Sequence, residues 1–124
     1  MTKKQSSQKK TVAVIESAEI YDVFDLWKRK PRALTFNDTD VIVLTARANG
    51  KAIQETFFTC LKSDGTFALK TPSILSDGRR QKLANFISHY FHAANPEKYN
   101  VREESKKWKG TTVELDEQGF IFIP

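Results

Sequence analysis

Residues 41–48 are rich in apolar and β-branched side chains, and residues 51–61 place apolar and polar side chains on opposite faces, the patterns of strands. Residues 41–48 read as one strand. Asn49 and Gly50 supply the two positive-φ positions of a tight hairpin turn, and residues 51–61 return with Ile53, Phe57, Thr59 and Leu61 on one face. The other face of the returning strand carries Gln54, Thr56, Phe58 and Cys60. Ser63, Asp64 and Gly65 make a second turn, and residues 66–71 form a third strand that Pro72 ends, which completes an antiparallel meander.

Elsewhere the period lengthens. After a short apolar strand at 11–15, Ile20, Val23, Phe24 and Trp27 recur at spacings of three, four and seven, which predicts a helix over 18–30. Ser17 caps it, Lys28, Arg29 and Lys30 lie at its negative end, and Pro31 stops it. Leu83, Phe86, Ile87, Tyr90 and Phe91 predict a second helix over 79–93, led in by Ser76, Asp77 and Gly78, with Arg79, Arg80 and Lys82 at its first turn. Cations are unfavourable at that end of a helix, which points to an external anion. Residues 96–107 are irregular or partly helical, and 111–115 with 120–123 form a final hairpin around 116–119.

The expected fold is therefore α+β. Three antiparallel strands, a helix and two further strands give either an open five-stranded sheet on two helices or an OB-like, partly open barrel. Residues 1–10 have no apolar side chain after Met1 and read as a disordered basic tail, while 11–124 form a single domain.

Charge gives this scaffold its candidate function. The chain has a formal net charge of +5, and four of those charges are Lys3, Lys4, Lys9 and Lys10. Beyond the tail, three clusters of positive charge stand out: Lys28, Arg29, Lys30 and Arg32; Arg79, Arg80 and Lys82; and Lys106, Lys107 and Lys109. Each tryptophan belongs to one of these runs, Trp27 opening the first and Trp108 lying within the third. A flat aromatic among cations can stack on a base while its neighbours neutralise phosphates. This pattern points to binding of nucleic acid, single-stranded DNA or RNA above all, with weak sequence preference. The arm and clusters would contact phosphates, and Trp108, Tyr99 and Phe58 or Trp27 would stack. Trp108, without periodic apolar partners, is expected as an exposed ring. Trp27 belongs to the helix stripe, and Phe58 is either covered by the 18–30 helix or exposed as a platform. The alternative is a homodimeric structural or protein-interaction module, joined through a sheet edge and the aromatic helix face.

Other classes find little support. Cys60 is the only cysteine, so no intramolecular disulfide forms, and in mid-strand it reads as a small core residue rather than a nucleophile. His89 and His92 stand three apart but lack the further ligands a zinc site needs. Asp38, Asp40 and Glu55 read as turn and strand residues rather than a metal centre, and the five glycines never take a phosphate-cradling spacing. An enzyme, a cofactor and a metal are accordingly not expected. No apolar run reaches membrane-spanning length and no signal peptide is visible at the start, so the expected location is cytoplasmic.

Overall fold

The computed structural model describes residues 11–26 and 38–124. Four strands, β1 (Val12–Asp22), β2 (Asp40–Ala48), β3 (Lys51–Thr59) and β4 (Thr112–Glu114), form one antiparallel sheet in the order β3-β2-β1-β4. Three helices accompany it: the single turn α1 (Val23–Leu26), the long α2 (Ile74–Phe91) and the short α3 (Val101–Glu104), which lies between 3-10 turns at Pro96–Lys98 and Ser105–Lys107. The fold is α+β, but its sheet is open. β3 and β4 end the strand order on opposite sides, so the described residues make neither five strands nor an OB-like barrel. Among the described residues no helix is long and apolar enough to cross a membrane.

The meander's first hairpin forms as its pattern implies. Asn49 and Gly50 have φ of 52° and 76°, the two left-handed positions that match the twist of the flanking strands. β2 and β3 then pair in unbroken register from Ala48–Lys51 to Asp40–Thr59.

The first element differs most from expectation. As far as Leu26, the helix over 18–30 is replaced by the second half of β1 and the one turn of α1; residues 27–30 lie outside the described residues. A register shift between Ile15 and Ser17 explains the misreading. Ala13 and Ile15 point into the core before it, Ala18 and Ile20 after it, so the inward positions change from odd to even and the two-residue period breaks in sequence. The strand wins because Ser17 to Asp22 pair residue by residue with Thr45 to Asp40 of β2, and this tertiary pairing outweighs a weak helix propensity.

The third expected strand, 66–71, is absent. Its backbone groups are satisfied by side chains instead: Leu69 N–H donates to Glu97 at 2.9 Å, Thr71 N–H donates to Asp77 at 2.5 Å, and Ala68 carbonyl accepts from Arg80 at 3.2 Å. Meanwhile Phe67 drops wholly into the core. The turn before it does form. Gly65, at φ 83°, backs onto Asn100, where an added Cβ would lie 1.9 Å from the amide oxygen. At the other end of the chain the expected final hairpin reduces to β4 and one bridge, Leu115 to Ile121.

α2 begins five residues earlier than its apolar stripe implies. Ser73 caps it by accepting from Ser76 N–H, and Ser76, Asp77 and Gly78 form its first turns rather than a loop before it. The helix lies on one face of the sheet, where Leu83, Ala84, Phe86 and Ile87 meet Ile42, Leu44, Ala46 and Phe57. Burial of these side chains contributes about 1.5–3 kcal/mol each for the larger ones.

Candidate nucleic-acid interface

Of the residues expected to bind, Lys9, Lys10, Trp27, Lys28, Arg29, Lys30 and Arg32 lie outside the described residues. The remaining clusters have definite surroundings, and these surroundings are acidic.

Arg79, Arg80 and Lys82 are not at the first turn of α2, because the helix starts at Ile74. The first turn carries Asp77, a favourable charge there, so the argument for an external anion falls away. Arg80 is only 3% exposed and faces Asp38, which is fully buried, at 3.5 Å; Arg79 faces the same carboxylate at 3.8 Å. The Ser76 hydroxyl donates to Asp38 at 2.7 Å. Lys82 pairs with Glu55 on β3 and lies 5.3 Å from the centre of the Phe57 ring.

In the third cluster Lys106 pairs with Glu103 at 3.3 Å and Lys107 with Glu104 at 3.5 Å, both across one helical turn. Lys109 is near Glu16, whose carboxyl is held below its usual range chiefly by the hydrogen bond from Arg47 and in smaller part by the charge of Lys109.

Trp108 corrects the sequence reading. Its ring is 1% exposed, stacks on Phe91 at 5.0 Å between centroids and meets Phe86 edge-on at 5.4 Å. Its indole N–H donates to the Tyr99 hydroxyl at 2.9 Å. The missing periodicity has a plain cause: Trp108 packs through long-range partners on α2 rather than along its own segment. Tyr99 is half-buried by the same contact, and burial raises its pKa above the ordinary tyrosine value. Phe58 is half-buried too, packed with Val43 against Val23 and Val41 on the sheet face opposite α2. None of the three is a freely exposed platform.

The described clusters also stand apart. Gly110 N–H, just past the third cluster, bonds to Ile15 carbonyl, whereas Asp38, which holds Arg79 and Arg80, precedes the Asp40–Asp22 pair. Seven steps along β1 lead from Ile15 to Asp22, about 23 Å at 3.3 Å per residue, which sets Arg79 and Arg80 apart from the third cluster, whereas Lys82, paired with Glu55 in the row of Leu44 and Ala18, lies nearer to it. The chain leaves the described part at Leu26 and returns at Asp38, and Val23 N–H donates to Thr39 carbonyl at 2.8 Å, so both ends of the 27–37 stretch meet at the Asp22 end of β1.

At that end two aromatic rings face solvent which the sequence reading had not assigned to binding: Phe24, 56% exposed on α1, and Tyr21, 37% exposed on β1. The spacing of apolar residues instead puts Phe24 on a helix stripe with Ile20, Val23 and Trp27. The signal for the true arrangement is Asp22, whose carboxylate accepts the Phe24 N–H at 2.8 Å and turns the strand into α1. His89 sits 3.6 Å from Glu114, and His92 ends α2 in a left-handed conformation at φ 57°.

No protein-family model matches the chain, and neither a curated protein nor a solved structure matches it.

Proposed function

We propose that the protein binds nucleic acid, single-stranded in preference, through phosphate contacts carried by residues 1–10 and 27–37. The observation that supports this reading is the partition of charge. Residues 1–10 hold four lysines and residues 27–37 hold Lys28, Arg29, Lys30 and Arg32, with no acid in either stretch. The remainder of the chain has twelve basic residues against fifteen acidic ones, a formal charge of −3. Its basic clusters at 79–82 and 106–107 are moreover ion-paired. An acidic body bearing two purely basic stretches separates the two signs of charge, an arrangement suited to a polyanion met through the stretches alone.

The reading drops Trp108 and Tyr99 as stacking groups and treats Arg79, Arg80, Lys82, Lys106 and Lys107 as structural. Substituting Lys28, Arg29, Lys30 and Arg32 together by Gln should abolish most binding of a labelled oligonucleotide at about 0.1 M salt, and Lys106 and Lys107 to Gln should leave it unchanged. The reverse pattern would refute the assignment.

A homodimeric module is the second reading, favoured by the position of β3, a nine-residue strand at one end of the strand order with Ala52 and Gln54 exposed. Such a dimer would form irrespective of oligonucleotide and would not be weakened by salt.

A further inference from the structure

We infer that the edge of β3 at residues 51–55 pairs, antiparallel, with the same edge of a second copy of this chain, with Ile53 facing Ile53 on the two-fold axis. This inference rests on the homodimer reading and adds the register of the interface.

The hairpin fixes which backbone groups face outward. Across its two-residue turn the flanking pair, Ala48 and Lys51, exchanges hydrogen bonds, and bonded pairs then alternate along the ladder. Lys51, Ile53 and Glu55 therefore bond to β2, while the N–H and carbonyl groups of Ala52, Gln54 and Thr56 point away from it. Lys82 donates to the Thr56 carbonyl at 3.4 Å, as that direction requires, and so occupies the edge there. Ala52 and Gln54 are exposed, and among the described residues nothing bonds to their outward groups. Such a row of donors and acceptors is met by another extended strand.

Charge selects a second copy as that strand and sets the register. With Ala52 opposite Gln54, Ile53 lies on the axis and Lys51 faces Glu55 of the second copy on both sides of it. Other registers lose this match. Gln54 opposite itself turns Lys51 to Phe57 and Glu55 to Ile53, Ala52 opposite itself turns Lys51 to Ile53, and Glu55 opposite itself sets like charges together. The register that matches charge also stops short of Thr56, where Lys82 closes the edge. Ile53 packs against the core and Glu55 meets Lys82, so these side chains stand on the α2 side of the sheet. There the two Ile53 side chains meet as a non-hydrogen-bonded pair, the closer of the two kinds, and continue the apolar layer from one copy to the next. Each Glu55 carboxylate accepts from Lys82 of its own chain and Lys51 of the other. Backbone bonds and Ile53 carry the association, and the charges choose its register.

The test introduces one cysteine at a time into the full chain carrying Cys60→Ser and exposes each variant to oxidised glutathione. Ile53→Cys should give a disulfide-linked dimer on non-reducing gels, because its two copies face each other, whereas Gln54→Cys and Glu55→Cys should stay monomeric there. Crosslinking that is strongest at 54 or 55 overturns the register. Sedimentation then compares the parent with Gln54→Pro, which removes an outward N–H and no bond to β2. The variant should keep the parent's circular dichroism and dimerise at least about tenfold more weakly. A dimer that Gln54→Pro leaves unchanged overturns edge pairing while the homodimer reading stands, and a parent still monomeric at about 1 mM ends both. If Gln54→Pro does not fold, the cysteine series decides without it. Lys51→Glu and Glu55→Lys should each dimerise weakly alone and recover when mixed, since the mixed dimer again faces opposite charges. No recovery on mixing overturns the pairing of Lys51 with Glu55.

Discussion

The Asp38 carboxylate and the Arg80 guanidinium face each other at 3.5 Å, both out of solvent. They join the start of β2's approach to the middle of α2's first half, and Ser76 adds a hydrogen bond to the same carboxylate. Arg80 also reaches Ala68 carbonyl, which stands where a third strand was expected. One pair thus fixes three segments that make no regular structure with one another.

Removing one member of such a pair leaves a buried charge uncompensated. Asp38→Ala should destabilise the protein by about 3–5 kcal/mol, read from urea unfolding midpoints. A loss below about 1 kcal/mol would mean that Arg80 escapes to water and that the pair does not hold the segments together.

Trp108 is a core residue, and its substitution should behave as one. Trp108→Ala should cost about 3–5 kcal/mol, whereas Trp108→Phe, which keeps a ring against Phe91 but loses the hydrogen bond to Tyr99, should cost less. Thermal unfolding separates the two variants. Oligonucleotide affinity, measured where each variant is folded, should stay at the parent's level.

Asp77 makes stability depend on acid. The hydrogen bond from the Thr71 hydroxyl, with a second from Thr71 N–H, holds its carboxyl below the ordinary value of 3.8. A depressed carboxylate stabilises the fold above its unfolded value, and that contribution is lost as pH falls through the lower folded value. Asp64, held down by Thr66, acts in the same direction. Asp77→Asn should therefore be less stable than the parent at neutral pH, with the gap narrowing as pH drops below about 4. A gap that stays constant down to pH 2 would exclude the linkage.

These residues also show what a sequence can disclose. The hairpin at Asn49–Gly50 is local, since two positive-φ residues between alternating strands specify it without help from the rest of the chain. β1 is not local. Its bulge breaks the alternation, and its pairing with β2 and β4 is a property of the sheet, so the same residues fit a helical period equally well in sequence. The basic clusters were visible as composition, but the partners that neutralise them are far away: Arg80 and Asp38 are 42 residues apart, and Lys82 and Glu55 are 27 apart. Trp108 deceived for the same reason, because Phe91 and Phe86 supply its packing from another element. The charge segregation itself can be counted in the sequence, while the ion pairing of the body's clusters at 79–82 and 106–107 is a property of the fold.

Residues 1–10 carry no apolar side chain after Met1. Their deletion should leave the urea midpoint unchanged and lower oligonucleotide affinity, with the loss largest at low salt. Unfolding on truncation, or unaltered affinity, would remove the tail from the account.

The salt dependence of binding tests the central claim most directly. If the eight basic residues of 1–10 and 27–37 each neutralise a phosphate, a plot of log affinity against log salt for a single-stranded oligonucleotide should have a slope of about −5 to −6. Deleting 1–10 should reduce that magnitude by about 3, and adding the Lys28, Arg29, Lys30 and Arg32 substitutions should bring it near zero. A flat response in the parent, or a steep one that survives both changes, would contradict binding through the two basic stretches.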